Sequence, residues 1–237
     1  MTAPAAYTPT EMMTIVAARA LGNSDVCFVG IGAPSAACNL ARLTHAPGIT
    51  LIYESGTIAT KPNVLPLSIG DGELCETALT TVSVPEMFRY WLQGGRITVG
   101  FLGGAQIDRF ANLNTTVVGP YAKPKVRLPG GGGAPEIALG VEQVFVMLRH
   151  SPRAFVERLD FTTSLGDNLR VVITDLGILE RRDGELTLVS THGGVGVDDV
   201  RAATGWELRV AGDVGVTGPP TDDELTALRA LKTKGRD

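Results

Sequence analysis

The chain has only three cysteines, Cys27, Cys38 and Cys75, far apart and with no C-x-x-C pair. That excludes a disulfide-dense secreted scaffold and leaves buried free thiols as the expectation, as suits a reducing cytoplasm. Histidines are equally few. His45, His150 and His192 share no metal-like spacing with one another or with a cysteine, so no metal is expected. Ser164 and His192 can be imagined as a nucleophile and its base, but no G-x-S-x-G elbow marks them. No run of about 18 apolar residues is present, and the amino terminus lacks the charged start and apolar core of a signal peptide. The expectation is a soluble, cytoplasmic protein without a membrane partner. With a net charge of −4, the chain also lacks the electrostatic footprint of a nucleic-acid binder.

What the chain does have is glycine. Its 29 glycines show no collagen-like period and cluster after apolar runs, where backbone passes close to a ligand or a tight turn. An apolar fraction of 44% against 19% charged residues describes a folded, enzyme-like α/β domain. No internal repeat or boundary interrupts it. A single domain over 1–237 is expected, with 1–7 and 233–237 frayed.

Thr8-Pro9-Thr10-Glu11 is a capping box that opens a helix running to Gly22. Asp25 to Val29 reads as a buried strand, Gly30-Ile31-Gly32-Ala33-Pro34 as a turn, and Ser35 to Leu43 as a helix. Ile49 to Tyr53 is a second strand. Strand, glycine turn, helix, strand is a βαβ unit, and it implies an open, mostly parallel sheet flanked by helices. The Gly30-x-Gly32 turn lacks the third glycine of a dinucleotide fingerprint, because Ser35 and Ala36 fill that region. It fits a turn that holds part of a ligand, and equally a plain tight turn. Lys61 to Pro66 reads as a loop, Pro85 to Leu92 as a helix, and Arg96 to Leu102, Thr115 to Val118, Gln143 to Leu148 and Leu169 to Thr174 as strands. Arg182-Asp183-Gly184-Glu185 signals a hairpin. Thr221-Asp222-Asp223-Glu224 is a second capping box.

Tyr53-Glu54-Ser55-Gly56 carries the most chemistry. It sets a carboxylate at the carboxyl end of an apolar strand, where α/β sheets bind their ligands. Burial there raises the free energy of the ionised carboxylate unless dipoles offset it, and the small residues that follow admit a substrate. That suits a carboxylate nucleophile. The same four residues also fit a strand-end turn with a solvated side chain. Gly130 to Gly133 fit a surface loop, or a row of N–H donors for an oxyanion. Lys123, Lys125 and Arg127 fit a solvated cationic edge, or a site for an anion.

Taken together, Tyr53-Glu54-Ser55-Gly56, Gly103-Gly104-Ala105-Gln106-Ile107-Asp108, Asn112-Leu113-Asn114 and the run from Lys125 into Gly130–Gly133 resemble the B-type (β) half of the class I CoA-transferases, glutaconate CoA-transferase among them. The resemblance covers Glu11 to about Leu228. It implies a glutamate nucleophile at Glu54 that forms a glutamyl-CoA thioester. It implies an oxyanion donor at Gly133 with Gly132 beside it, and a site floor of Gly103, Gly104 and Gln106. Gly30, Gly32 and Ser55 would touch substrate or CoA, while Asp108 and Asn112 hold a turn. Coenzyme A enters as an acyl-CoA substrate and no cofactor is bound permanently. The A-type (α) half of a CoA-transferase is implied as partner, in an αβ heterodimer or a larger assembly, with a glutaconate-like or 3-oxo acid as acceptor. The chain departs from the glutaconate pattern in a shortened stretch around Gly166-Asp167-Asn168. Related proteins hydrolyse ring bonds or decarboxylate acyl-CoA thioesters on the same fold, with the glutamate replaced, so Glu54 favours transfer over a hydrolase or decarboxylase. The alternative from another class is a non-catalytic acyl-CoA-binding module, which would tolerate loss of Glu54.

Overall fold

The first helix, α1 (Pro9–Arg19), begins where the side chains say it should: Thr8 Oγ1 accepts from the Glu11 N–H at 3.1 Å, and the Glu11 carboxylate accepts from the Thr8 N–H at 2.8 Å. In the computed structural model, which describes residues 6–233, two compact units emerge. One runs to Phe101 and resumes at Pro219; the other runs from Leu102 to Gly218. Of the ends expected to fray, residues 1–5 and 234–237 lie outside the described residues.

In the first unit, β1 (Val26–Phe28), α2 (Ala33–Leu43) and β2 (Thr50–Ile52) form the expected parallel βαβ motif, with Cys27 opposite Leu51. Gly32 starts α2 at φ +85°, a conformation that favours a residue without Cβ, and nothing lies within 4 Å of where that atom would be. β3 (Thr57–Ile58) folds back antiparallel on β2. After a short helix, α3 (Gly72–Glu76), β4 (Thr80–Thr81) pairs with β3. The helix expected from Pro85 is real but not uniform. One α-turn, α4 (Val84–Glu86), is capped by Ser83 and passes into a π-helix over Met87–Leu92. β5 (Val99–Leu102) then pairs in parallel with β1 on the side away from β2. The strand order therefore reverses at β1, and such a reversal opens a crevice at the carboxyl ends of the strands.

Helices α1, α2 and the closing helix (Asp222–Thr233) pack against one another. Ile15, Ala37 and Leu40 are buried among them, and a buried leucine contributes roughly 1.5–3 kcal/mol. The closing helix starts with its own capping box, Thr221 to Glu224. Two ion pairs tie it to α1: Arg19 Nη2 to Glu224 Oε2 at 2.6 Å, and Arg229 Nε to Glu11 Oε1 at 2.7 Å. The Arg229 hydrogen bond holds the Glu11 carboxyl down at about 2.

The second unit opens with two small hairpins, β6 (Gln106–Ile107) with β7 (Leu113–Asn114) and β8 (Val117–Val118) with β9 (Val126–Arg127). A short helix, α5 (Ala134–Gly140), follows. Next come β10 (Gln143–Met147) and β11 (Leu169–Ile173), paired in parallel, and β12 (Gly177–Arg182) and β13 (Glu185–His192), added antiparallel. The β12–β13 turn is the expected Asp183-Gly184 pair, with φ +49° and +84° as a type I′ turn requires. Helix α6 (Val197–Ala202) leads to β14 (Arg209–Thr217), parallel to β13. The chain thus has the expected α/β class, with mixed strand pairing built around parallel centres.

Two buried imidazoles sit in this unit. His150 lies flat on Phe155, with ring centroids 3.6 Å apart, and its Nε2 is 3.0 Å from Thr204 Oγ1. Burial holds its pKa down at about 4, and burial also lowers that of His192. A histidine that is neutral when folded and ordinary when unfolded stabilises the fold above its unfolded pKa of about 6.5, and that contribution is lost as pH falls towards 4. Thermal unfolding followed from pH 7 to 4 should therefore show falling stability over that window. The loss should be smaller in His150→Phe, which keeps the stack; equal slopes would refute the assignment. Among the described residues, Ser164 Oγ and His192 Nδ1 are both buried without a partner, so the two residues form no Ser–His pair.

Candidate active site

Glu54 stands at the tip of a hairpin. Tyr53 N–H donates to the Thr57 carbonyl at 3.1 Å, and Gly56 N–H donates back to the Tyr53 carbonyl at 2.9 Å. Glu54, Ser55 and Gly56 are thus a three-residue loop ending in a glycine at φ +107°, the geometry of a turn closed by a bulge. The sequence suggested a strand end; the structure makes it the point where β2 turns back into β3. Glycine is required at position 56 twice over. Its φ lies in the region that favours glycine, and a Cβ would stand 1.9 Å from the Val82 carbonyl oxygen. That carbonyl belongs to the residue whose N–H donates to the Gly56 carbonyl at 2.9 Å, so neither backbone can step aside.

The turn presents the carboxylate half-buried, and among the described residues no group hydrogen-bonds or ion-pairs with it. Ser55 Oγ and Thr57 Oγ1, on either side of Gly56, are buried and also lack a partner among the described residues. The neighbouring glycine turn leaves the carboxyl end of β1 beside that of β2, where Val29 N–H donates to the Ile52 carbonyl at 2.8 Å. Gly30, Gly32, Glu54 and Ser55 therefore leave adjacent strand ends of one unit. Gly32 also borders a hollow of about 230 Å³ with Thr14, Leu65 and Lys232.

The remaining expected residues fall in the second unit. Gly104 lines a hollow of about 330 Å³ with Thr115, Leu128, Gly130 and Gly131, so the G-G-A-Q segment and the start of the glycine loop meet there. Gly103, Gln106, Gly132 and Gly133 do not line it. Gly130 is pinned at both ends, its N–H to the Thr115 carbonyl at 2.9 Å and its carbonyl to Thr115 Oγ1 at 2.8 Å. Past that clamp the loop rises into α5, and the N–H groups of Gly132 and Gly133 find no acceptor among the described residues. Asp108 and Asn112 hold the β6–β7 turn, as expected: Asp108 Oδ1 accepts from the Phe110 and Asn112 N–H groups.

Gln106 is buried, with both ends of its amide engaged. Its Oε1 accepts from Asn114 Nδ2 at 2.6 Å, and its Nε2 donates to Asp160 Oδ2 at 2.9 Å. Asp160 in turn accepts from the Gly119 N–H at 3.0 Å, the first cause of a carboxyl pKa below its ordinary value. Asn114 and Asp160 were not legible as site residues. The signal for Asn114 was its place in the Asn112-Leu113-Asn114 segment, which gave it no role; nothing marked Asp160. Lys123, Lys125 and Arg127 are exposed on the β8–β9 hairpin, with the Arg127 guanidinium 4.9 Å from the centre of the Tyr121 ring.

The cysteines correct one expectation. All three are free thiols and Cys27 and Cys38 are buried, with sulfurs 3.6 Å apart, but Cys75 is exposed at the end of α3. Among the described residues no cluster of three or more metal-ligating side chains occurs, and no helix is long and apolar enough to cross a membrane.

Residues 10–203 match the sequence profile of the family described as Coenzyme A transferase. The chain belongs to that family. It is 56% identical to the B-type subunit of 3-oxoadipate CoA-transferase from Pseudomonas knackmussii, an alignment that covers 97% of this chain and 95% of the relative. It is 31% identical to the B-type subunit of glutaconate CoA-transferase from Acidaminococcus fermentans, over 90% of this chain and 88% of the other. The crystal structure of the glutaconate enzyme from the same organism matches with a TM-score of 0.91 at 27% identity, over 98% of this chain and 97% of that one. This places the fold of the chain, as well as its sequence, with the CoA-transferases.

Proposed function

We propose that this chain is the B-type, catalytic subunit of a CoA-transferase, with Glu54 as the nucleophile. The observation that carries the reading is a half-buried carboxylate with no partner among the described residues, held at the tip of a turn that only glycine can close. A carboxylate of this kind attacks the carbonyl carbon of an acyl-CoA. The C–S bond breaks, CoA leaves as the thiolate, and the acyl group stays on Glu54 as a mixed anhydride. The thiolate then attacks the glutamyl carbonyl, releasing the first acid and leaving Glu54 as a CoA thioester. The acceptor carboxylate repeats the two steps in reverse order and departs as the new acyl-CoA.

Each step passes through a tetrahedral oxyanion, which needs fixed donors worth roughly 3–4 kcal/mol apiece. The N–H of Gly133, free within its own unit, is our candidate, with that of Gly132 beside it. Gly30, Gly32 and Ser55 are candidate contacts for CoA or acyl group, and Gly103 and Gly104 for the site floor. Held at both ends of its amide, Gln106 acts by positioning that floor through Asn114 and Asp160. Lys123, Lys125 and Arg127 supply cations for an anionic substrate. The acceptor is a 3-oxo or dicarboxylic acid, by similarity to the 3-oxoadipate and glutaconate enzymes, and the partner is an A-type subunit in an (αβ)n assembly. The free thiols suit the cytoplasm.

The test is co-expression with an A-type subunit, followed by assay of CoA transfer from succinyl-CoA and acetyl-CoA to 3-oxoadipate and glutaconate. The complex should transfer CoA with ping-pong kinetics, and the isolated chain should be inactive. Full activity of the chain alone, or release of CoA or carbon dioxide without an acceptor, would overturn the proposal.

A further inference from the structure

Behind the Glu54 turn runs a line of buried polar groups that the thioester chemistry leaves unexplained. Tyr53 is fully buried, and its hydroxyl lies 2.8 Å from Ser35 Oγ, itself buried in the first turn of α2. One turn on, Asn39 is fully buried and donates from Nδ2 to the Ser35 carbonyl at 3.0 Å. Its Oδ1 accepts from Arg42 Nε at 3.2 Å and Nη2 at 3.1 Å. Arg42 Nη2 also donates to the Pro62 carbonyl at 2.9 Å. Burial pushes the Tyr53 phenol up, so the line carries no anion at neutral pH.

Apolar residues would pack a strand against a helix here without desolvating a hydroxyl, an amide and a guanidinium. A fully satisfied polar line does something apolar packing does not: it admits one relative placement of the groups it joins. The groups joined are α2, the Lys61–Pro66 loop and the residue immediately before Glu54. Tyr53 is held at three points. Its side chain is tied to α2, and its N–H and carbonyl are both tied inside the hairpin. With position 53 immobile, the direction in which the next residue leaves the strand is set by α2 rather than by the turn alone.

We propose that Tyr53, through Ser35 and the Asn39–Arg42 pair, is a positioning residue that fixes the direction from which Glu54 meets the thioester. The proposal rests on the reading of Glu54 as nucleophile. A displacement of about 1 Å at a reacting group can slow a reaction by roughly 100-fold, so a hydroxyl remote from the chemistry can matter to the rate.

The experiment uses the assembled complex of this chain with its A-type partner and compares wild type with Tyr53→Phe, Ser35→Ala and the double variant. It measures Tm, kcat and KM for succinyl-CoA, and the rate at which CoA appears on the Glu54 peptide after quenching. Each single variant should lose about tenfold or more in kcat and in the adduct rate, with KM within about twofold. The double variant leaves neither hydroxyl unpaired, so its Tm should return towards wild type while kcat stays low. Recovery of kcat together with Tm, or single variants with wild-type kcat, would reduce the line to a structural role and overturn the proposal. If Tyr53→Phe does not fold, Arg42→Gln breaks the line at its half-buried end and should lower kcat, not raise KM. An unchanged kcat there overturns the proposal equally. Wild-type enzyme that transfers CoA with no adduct on Glu54 would sink the nucleophile reading itself, a failure visible before any variant is made.

Discussion

Glu54→Gln should leave a complex that folds, assembles with its A-type partner and does not turn over. The carboxylate has no partner among the described residues, so replacing it with an amide of the same shape breaks no hydrogen bond or ion pair. Stability should stay within about 0.5 kcal/mol of wild type, the range of substitutions that touch no special feature. Turnover should fall by roughly four orders of magnitude or more, because the residue is asked to form and break covalent bonds rather than to orient something that does. Glu54→Asp keeps the charge but draws it back by one methylene, and it should also be severely impaired. Calorimetry or ligand titration should show acyl-CoA still binding to the Gln variant. A non-catalytic binding module would behave the same way in binding but would have no turnover to lose.

Gly56→Ala is the second large effect, and here the expected loss is of structure. The substitution places a methyl carbon 1.9 Å from the Val82 oxygen at a φ of +107°. Relief requires β3 to part from β4 and from Val82 just beyond it, or the turn to open and release Glu54. Steric and backbone penalties of this kind belong to the exceptional class above about 4 kcal/mol. For a chain of this length that lowers Tm by roughly 10 °C. Gly72→Ala is the matched control. Gly72 opens α3, has no positive φ, and has nothing within 4 Å of its would-be Cβ, so alanine there should be neutral or mildly stabilising. Similar Tm values for the two variants, read by differential scanning calorimetry, would contradict the account of the turn.

Much of the frame was legible because local chemistry and fold agree. Both capping boxes, the β1–α2–β2 motif and the Asp183-Gly184 hairpin rest on interactions between residues four or fewer positions apart, or on apolar runs with clear ends. What escaped has the opposite character. β3 and β4 are two residues each, too short to show any period, and they exist because Gly56 and Val82 bond across 26 positions. β14 is nine residues long but largely exposed, so no alternation of buried side chains announces it. The π-helix at Met87–Leu92 reads as an ordinary helix because its hydrogen bonds span only one residue more than those of an α-helix. At the proposed site, Glu54 and the glycines are singled out by their motifs. The groups that hold them, Ser35 for Tyr53 and Asp160 for Gln106, lie 18 and 54 positions away, and no local pattern marks them.

The central claim is that Glu54 carries CoA covalently during transfer, and mass spectrometry reads that directly. The co-expressed complex is exposed briefly to succinyl-CoA or acetyl-CoA without acceptor, quenched in acid and digested. The account predicts a CoA adduct on the Glu54 peptide that hydroxylamine or an added acceptor acid removes. Enzyme that is active in transfer yet carries no adduct on Glu54, or carries it on another residue, would contradict it.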